Sequence, residues 1–209
     1  MKGKIVLCSN LIDRHSKEEF EKFLGRKTDG MKVLFIPTGG NPEPNLTWIK
    51  EDYSIIVEDL KVDIQAYDIE DMNEGQIREL VPQFDMIWMS GGVTSYLMNA
   101  VIKTGFNNIM KEVIENDIVY VGSSSGAMIL NPTLDVAAWY IGEEDSESAG
   151  VKGLGYTDYY VYPHYHENLK EEIIKRKNFT APLYLMKNEQ AICIDNGEIT
   201  YLGGKPEIV

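Results

Sequence analysis

The sequence predicts an α/β fold in which a doubly wound, mostly parallel sheet lies between two layers of helices. Short apolar runs of strand length alternate, up to about residue 127, with segments whose apolar side chains recur at helical spacing. Right-handed crossovers between successive parallel strands place such helices on both faces of a sheet, which gives three layers. Near the C-terminus two apolar runs flank the turn signal DNGE, and this pattern predicts a β-hairpin.

The individual elements follow from the same periodicities. The first five strands are predicted at residues 5–8, 33–36, 62–67, 86–89 and 118–121, and the helices around them at 16–24, 45–57, 73–81, 95–102 and 106–115. Ser16 and Glu19 have the spacing of a capping box at the start of the first helix. Residues 131–158 are polar and glycine-rich, which predicts loops or short strands. The remaining strands are predicted at residues 159–162, 183–185, 190–194 and 199–202, with a helix at 169–177.

Length, charge and cysteine content limit the class of protein. The 209 residues predict a single domain that spans residues 1–209. The net charge of −13 repels phosphate backbones and anionic lipids, so neither nucleic acid nor a membrane is an expected partner. Cys8 and Cys193 lie far apart in apolar runs, which predicts reduced core thiols in a cytoplasmic protein. No metal or cofactor is predicted, and a homodimer is left open.

The strongest functional signal is the segment IVYVGSSSGA at residues 118–127. Its first half is a buried strand, and its second half fits Gly-x-Ser-x-Gly, with Gly122 and Gly126 on either side of Ser124. A nucleophile elbow needs this order, because the strand delivers the serine and the glycines let the backbone turn sharply into a helix. A glycine-serine turn without chemistry would show the same five residues, so the pattern needs support from the rest of the chain.

A serine nucleophile requires a general base. The chain has three histidines, of which His164 follows an apolar strand and a proline, 40 residues after Ser124. An ordinary α/β-hydrolase places its histidine much further along the chain, so this short gap argues against that class. His166 is the reserve candidate, and His15 precedes the first helix as a surface residue.

The nucleophile also requires donors for the oxyanion. The amide of Ser125, which directly follows Ser124, is one candidate. The second is the amide of Gly92, which ends another strand and lets the backbone approach a substrate because it has no side chain.

Together, three motifs resemble peptidase family S51, the serine peptidases that include dipeptidase E and cyanophycinase. The motifs are SGGVT at residues 90–94, GSSSGA at 122–127 and YPHY at 162–165, and they match the family in order and approximate spacing. The resemblance implies a flavodoxin-like sheet, related to that of the class I glutamine amidotransferases. It also implies a Ser-His-acid triad with Ser124 as nucleophile and His164 as base, and Gly92 and Ser125 as oxyanion donors.

The chain departs from the family pattern at two points. Val93 stands where the family's glycine loop often has asparagine, and no single carboxylate between Ser124 and His164 matches the family's acid. Glu143 is the chosen triad acid, with Glu144, Asp145 and Asp135 as alternatives.

The predicted function is that of a serine exopeptidase that hydrolyses short peptides. Resemblance to dipeptidase E implies a preference for an N-terminal aspartate, and resemblance to cyanophycinase implies a β-aspartyl-arginine linkage. None of the chain's four arginines is adjacent to the motifs, so no partner for a substrate carboxylate is assigned. Two alternatives stay open: a non-catalytic relative that binds a small ligand in the same cleft, and an esterase or amidase on the same fold.

Overall fold

The computed structural model describes residues 3–209. Ten strands and eight α-helices are assigned in this range. The elements that were predicted have closely matching bounds. The strands are β1 (Lys4–Cys8), β2 (Lys32–Ile36), β3 (Asp63–Ala66), β4 (Met86–Met89), β5 (Val119–Ser123), β6 (Tyr160–Tyr162), β7 (Leu183–Leu185), β8 (Ala191–Asp195), β9 (Glu198–Leu202) and β10 (Glu207–Ile208). The helices are α1 (Lys17–Leu24), α2 (Thr47–Leu60), α3 (Glu74–Leu80), α4 (Thr94–Lys103), α5 (Phe106–Glu115), α6 (Ser125–Met128), α7 (Asp135–Ala138) and α8 (Lys170–Arg176).

A seven-stranded sheet with the order β3-β2-β4-β5-β1-β8-β9 organises the molecule. The five strands from β3 to β1 in this order pair in parallel. Strand β8 runs antiparallel to β1 and forms the predicted hairpin with β9. The predicted α/β fold with its mostly parallel sheet is therefore confirmed.

Apolar side chains cover both faces of this sheet. In β1, Ile5 and Leu7 belong to one buried cluster, whereas Val6 and Cys8 belong to the other. Because successive side chains of a strand point to opposite faces, each cluster is the core between the sheet and one layer of helices. This accounts for the near-continuous apolar sequences of the inner strands β4 and β5, which are buried on both sides.

A second, three-stranded sheet with the order β10-β7-β6 packs beside the first. Strands β6 and β7 were predicted. Their pairing in a separate sheet was not predicted, and neither was the edge strand β10. Strand β6 is only three residues long, and such short apolar runs carry no information on which strand they pair with. The polar region before β6 contains helix α7 and one isolated bridge between Thr133 and Lys152, where loops or short strands were predicted.

The predicted capping box at α1 is wrong. Ser16 has helical dihedral angles, and its side chain makes no cap hydrogen bond to the helix. Its hydroxyl instead accepts a hydrogen bond from the backbone amide of Asp13 at 3.0 Å. A capping box does occur at α3, where Asn73 and Gln76 exchange side-chain and backbone hydrogen bonds.

The topology brings particular chain segments together at one edge of the large sheet. Strand β5 lies between β4 and β1, so residues that follow these three strands meet at their carboxyl ends. Ser124 follows β5, the Gly91-Gly92 pair follows β4, and Ser9 follows β1. Among residues 3–209, no helix has both the length and the apolar character needed to cross a bilayer.

Candidate active site

Ser124 occupies a strained turn between β5 and α6. Its φ of 50° and ψ of −112° lie in a region that residues with a side chain rarely adopt. Its amide donates to the carbonyl oxygen of Cys8 at the end of β1, at 3.1 Å. A Cβ atom at Gly122 would lie 2.5 Å from the carbonyl carbon of Gly126, and one at Gly126 would lie 2.9 Å from that of Met89. Both flanking glycines are thus required for the turn.

The loop after β4 lies directly against this turn. A Cβ atom at Gly91 would be 3.3 Å from the Cβ of Ser124. Gly92 has a φ of +115°, and a Cβ atom there would overlap the carbonyl group of Gly39. The amide of Val93 donates to the same Gly39 carbonyl oxygen at 2.8 Å. The glycine loop is therefore pressed between Ser124 on one side and the residues that follow β2 on the other.

The two candidate oxyanion donors are held by a hydrogen-bond network. The Ser125 hydroxyl donates to the carbonyl oxygen of Gly92 and lies 2.8 Å from the Thr94 hydroxyl. Within residues 3–209, neither the Gly92 amide nor the Ser125 amide donates to another protein group. Helix α6 is only four residues long, so its dipole adds little to the field at Ser124.

His164 lies at the end of β6, in the small sheet. Its φ of 51° is left-handed, and its amide donates to the hydroxyl of Ser9 at 2.7 Å. The fully buried Ser9 hydroxyl in turn donates to the carbonyl oxygen of Met186 at 2.9 Å, which joins the ends of the two sheets. The His164 Nδ1 atom lies 2.8 Å from Oδ1 of Asn188, in the connection between β7 and β8. His15 and His166 are exposed.

A cavity of about 690 Å³ collects the predicted site residues. Ser124, His164, Glu143, Gly92 and Ser125 all line it. Other parts of its wall come from residues that belong to no motif and were not predicted, among them Trp48 and the carboxylates of Glu43, Asp52 and Glu147. The carboxylates that line the cavity are those of Glu43, Asp52, Glu143, Glu144, Asp145 and Glu147, and none of the lysines or arginines among residues 3–209 lines it.

Comparison with known proteins assigns the family. The model of peptidase family S51 matches residues 6–202. The chain belongs to peptidase family S51. An uncharacterized peptidase of Pasteurella multocida is 26% identical over 198 residues, which cover 92% of this chain and 94% of the relative. An uncharacterized peptidase of Listeria monocytogenes is 28% identical over 190 residues, which cover 87% and 88% of the two chains. Family membership makes the protein a serine-type peptidase.

Solved structures of similar proteins share the fold of this S51 peptidase. A Listeria monocytogenes protein provisionally assigned as peptidase E superposes with a TM-score of 0.80 at 22% identity, over 96% of this chain and 98% of that one. A peptidase from an acI-B1 Actinobacterium superposes with a TM-score of 0.70 at 19% identity, over 100% and 94%. These structures support the fold, and the match of the family model confirms the resemblance to family S51 inferred from the three motifs.

Two of the four candidate acids of this S51 peptidase, Glu144 and Asp145, are engaged by groups other than the His164 ring. Glu144 pairs with Arg176 at 2.9 Å. The carboxylate of Asp145 accepts from the amide and the hydroxyl of Ser95, at 2.7 and 2.9 Å, at the start of α4. These two carboxylates thus connect the loop after α7 to helices α8 and α4.

The remaining two candidates differ in their surroundings. Asp135 accepts from the Thr133 hydroxyl at 2.6 Å and from the Gly150 amide at 2.9 Å. The side chain of Glu143 is exposed to the cavity and makes no hydrogen bond within residues 3–209. None of the four carboxylates forms a hydrogen bond to the His164 ring, whose Nδ1 atom contacts Asn188 instead.

Asp52 is a half-buried carboxylate of the cavity wall. Burial, and to a smaller extent the negative charge of Glu51, raise the pKa of Asp52 to about 7. Within residues 3–209 its carboxylate has neither a hydrogen-bond donor nor a cation as partner. Beside it in the wall, the Trp48 Nε1 donates to Glu43 at 2.8 Å. A positively charged ligand group would supply the missing partner, since an opposite charge favours the ionised carboxylate.

Proposed function

We propose that this S51 peptidase is an exopeptidase that hydrolyses short peptides, with Ser124 as nucleophile and His164 as general base. The observation that carries the proposal is the strained serine turn that opens into the same cavity as His164. Strain of this kind persists only where the surrounding structure enforces it, and it presents the hydroxyl to the cavity. A volume of about 690 Å³ suits a peptide of a few residues.

The proposed chemistry is acyl transfer in two steps. The Ser124 hydroxyl attacks the scissile carbonyl carbon while its proton passes to Nε2 of His164, and the amides of Gly92 and Ser125 bind the resulting oxyanion. The peptide C–N bond then breaks, and His164 gives the proton to the leaving amine. Water attacks the acyl-enzyme by the same route, which releases the carboxylic acid and restores the Ser124 hydroxyl.

Glu143 keeps its proposed role as the acid of the site. Its carboxylate lines the cavity with His164, and unlike Glu144, Asp145 and Asp135 it is not engaged by another protein group within residues 3–209. It contributes through its negative charge, which stabilises the imidazolium that forms when His164 takes the proton.

The charge of the cavity bears on the substrate. An aspartyl dipeptide carries a side-chain carboxylate in addition to its C-terminal one. It would bring both toward a wall that holds six carboxylates and, within the described range 3–209, neither lysine nor arginine. Like charges brought together at short range are destabilising, whereas the free ammonium group of a peptide and a basic side chain find oppositely charged partners. The wall therefore supports an exopeptidase that favours cationic or neutral short peptides over aspartyl ones.

We expect dipeptides that begin with lysine or arginine to be hydrolysed with a higher kcat/KM than those that begin with aspartate. The preference for basic over alanyl dipeptides should grow as the pH rises through about 7, because Asp52 loses its proton there and gains its charge. Asp52→Asn should reduce this ratio by about 5- to 10-fold and remove its pH dependence, since a charged hydrogen bond is lost.

Glu58→Gln is the matched control for that experiment, because it removes the same charge from an exposed position of the same helix. It should leave the substrate ratio unchanged. Faster turnover of aspartyl dipeptides than of basic ones by the wild-type enzyme would contradict the assigned preference.

The serine mechanism itself is tested with a fluorophosphonate probe. Intact-mass analysis should show one added phosphonyl group on the wild-type protein and none on Ser124→Ala. Ser123→Ala is the matched control and should still be labelled, because the Ser123 hydroxyl is buried and accepts a hydrogen bond from Trp88 Nε1 at 2.9 Å. A wild-type protein that is never labelled would favour the non-catalytic, ligand-binding alternative, and turnover of esters but not peptides would favour the esterase.

The proposed location of this activity is the cytoplasm. Cys8 and Cys193 are both free and buried, as expected of a protein kept in a reducing compartment.

A further inference from the structure

We infer that Asn188 is the residue that positions the imidazole of His164, a role that the triad pattern gives to a carboxylate. This inference rests on the proposed function of His164 as general base. It starts from the hydrogen bond between Nδ1 of His164 and Oδ1 of Asn188 at 2.8 Å. Asn188 lies outside the three sequence motifs, in the connection between β7 and β8.

The connection that carries Asn188 is a closed turn. The amide of Gln190 donates to the carbonyl oxygen of Lys187 at 2.9 Å, and the amide of Lys187 donates back to the Gln190 side chain at 2.9 Å. The carbonyl oxygen of Gln190 also accepts from the Ser9 amide at 3.0 Å. The backbone on both sides of Asn188 is thus tied down, although its side chain is exposed.

Ser9 links this turn to the backbone of His164. The Ser9 hydroxyl accepts from the His164 amide at 2.7 Å and donates to the carbonyl oxygen of Met186 at 2.9 Å. The histidine and the asparagine are therefore both anchored to one fully buried residue at the end of β1. Strand β1 is also the neighbour of β5, which leads into Ser124. The sheet therefore helps to fix the positions of Ser124, His164 and Asn188 relative to one another.

The chemistry of the amide fixes the state of the ring. The carbonyl oxygen of an asparagine only accepts hydrogen bonds, so Nδ1 of His164 carries the proton and Nε2 keeps its lone pair. That is the tautomer in which Nε2 takes a proton from a serine hydroxyl. A neutral amide orients the ring without adding a negative charge, so the contact controls geometry more than basicity.

The test compares three variants on one dipeptide substrate. Asn188→Ala should lower kcat by about 10- to 100-fold with little change in KM, because a misoriented base affects the chemical step more than binding. Asn188→Asp keeps a hydrogen-bond acceptor for Nδ1 of His164, so its kcat should be close to that of the wild type and well above that of Asn188→Ala. Its added charge stabilises the protonated ring, so the acidic limb of the pH–rate profile should move to higher pH. Glu189→Ala in the same turn is the control and should behave as wild type.

The opposite pattern would overturn the inference. If Asn188→Ala matches Glu189→Ala while Glu143→Gln loses activity as severely as His164→Ala, a carboxylate across the cavity orients the base and Asn188 does not.

A second measurement does not require turnover. Long-range ¹H–¹⁵N spectra should show Nδ1 of His164 protonated at pH 8 in the wild-type protein, and a shift toward the Nε2-protonated tautomer in Asn188→Ala. Assignment uses His15→Gln and His166→Gln, since the chain has only three histidines. An unchanged tautomer would refute the role of Asn188 even if peptides are hydrolysed. A different outcome is a protein that shows the expected tautomer change but neither hydrolyses peptides nor reacts with the fluorophosphonate probe. That outcome would refute the proposed function and leave the contact between Asn188 and His164 intact.

Discussion

Ser124→Ala is expected to lower kcat for dipeptide hydrolysis by about 10⁴- to 10⁶-fold, the range found when the nucleophile of a serine peptidase is removed. The acyl-enzyme cannot form without the hydroxyl, and the remaining cavity only binds and polarises the substrate. The fold should persist, because the Ser124 side chain makes no hydrogen bond to another residue in the range 3–209 and its amide keeps its bond to Cys8. Chromatographic assay of the products, together with thermal unfolding, measures both parts of the result.

Ser125→Ala is the informative companion variant. It keeps the Ser125 amide but removes the hydroxyl that bonds the Gly92 carbonyl and Thr94. A partial loss of kcat is expected from a looser glycine loop, well short of the loss in Ser124→Ala. Retained peptidase activity in Ser124→Ala would exclude this residue as the nucleophile, and an equal loss in both variants would point to the loop as the essential element.

The architecture was predictable because the buried strands are nearly pure apolar runs. Strands β4 and β5 are covered on both faces, so their sequences stand out from the amphipathic helices around them. The small sheet was not predictable in the same way, since β6, β7 and β10 have two or three residues each. The capping box at Ser16 was wrong because local hydrogen bonds to Asp13 compete with the helix for the same hydroxyl.

The candidate site was predictable to the extent that its residues follow strands in recognisable motifs. Ser124 and Gly92 follow strands of the large parallel sheet, whose topology gathers such residues at one edge. His164 follows β6 of the small sheet and is joined to that edge by the hydrogen bond from its amide to the Ser9 hydroxyl. Asn188 and Asp52 were not predicted as site residues because neither belongs to a motif. Asp52 is one residue of an amphipathic helix, and Asn188 is one polar residue in an exposed turn. Only the folded chain shows which polar residue faces which partner.

Gly92→Ala should abolish most of the activity and also destabilise the protein. A Cβ atom at this position would overlap the Gly39 carbonyl group and lie 2.6 Å from the Gly40 amide nitrogen, in a backbone conformation with a φ of +115°. The loop must move away from Gly39, which displaces the Gly92 amide from the developing oxyanion. Loss of one oxyanion donor lowers kcat by about 10²- to 10³-fold.

Gly30→Ala is the control variant. It shows how much of the effect of Gly92→Ala comes from placing a side chain on a left-handed backbone, without overlap with a neighbouring group. Gly30 has a φ of +75°, and a Cβ atom there would meet nothing within 4 Å. Its substitution should cost about 1 kcal/mol in the free energy of unfolding, as expected for a side chain at positive φ, and leave kcat unchanged. Urea unfolding and steady-state kinetics on both variants measure the contrast. Equal kcat values for Gly92→Ala and Gly30→Ala would mean that the amide of Gly92 does not bind the oxyanion, because a loop forced off Gly39 cannot keep that donor in place.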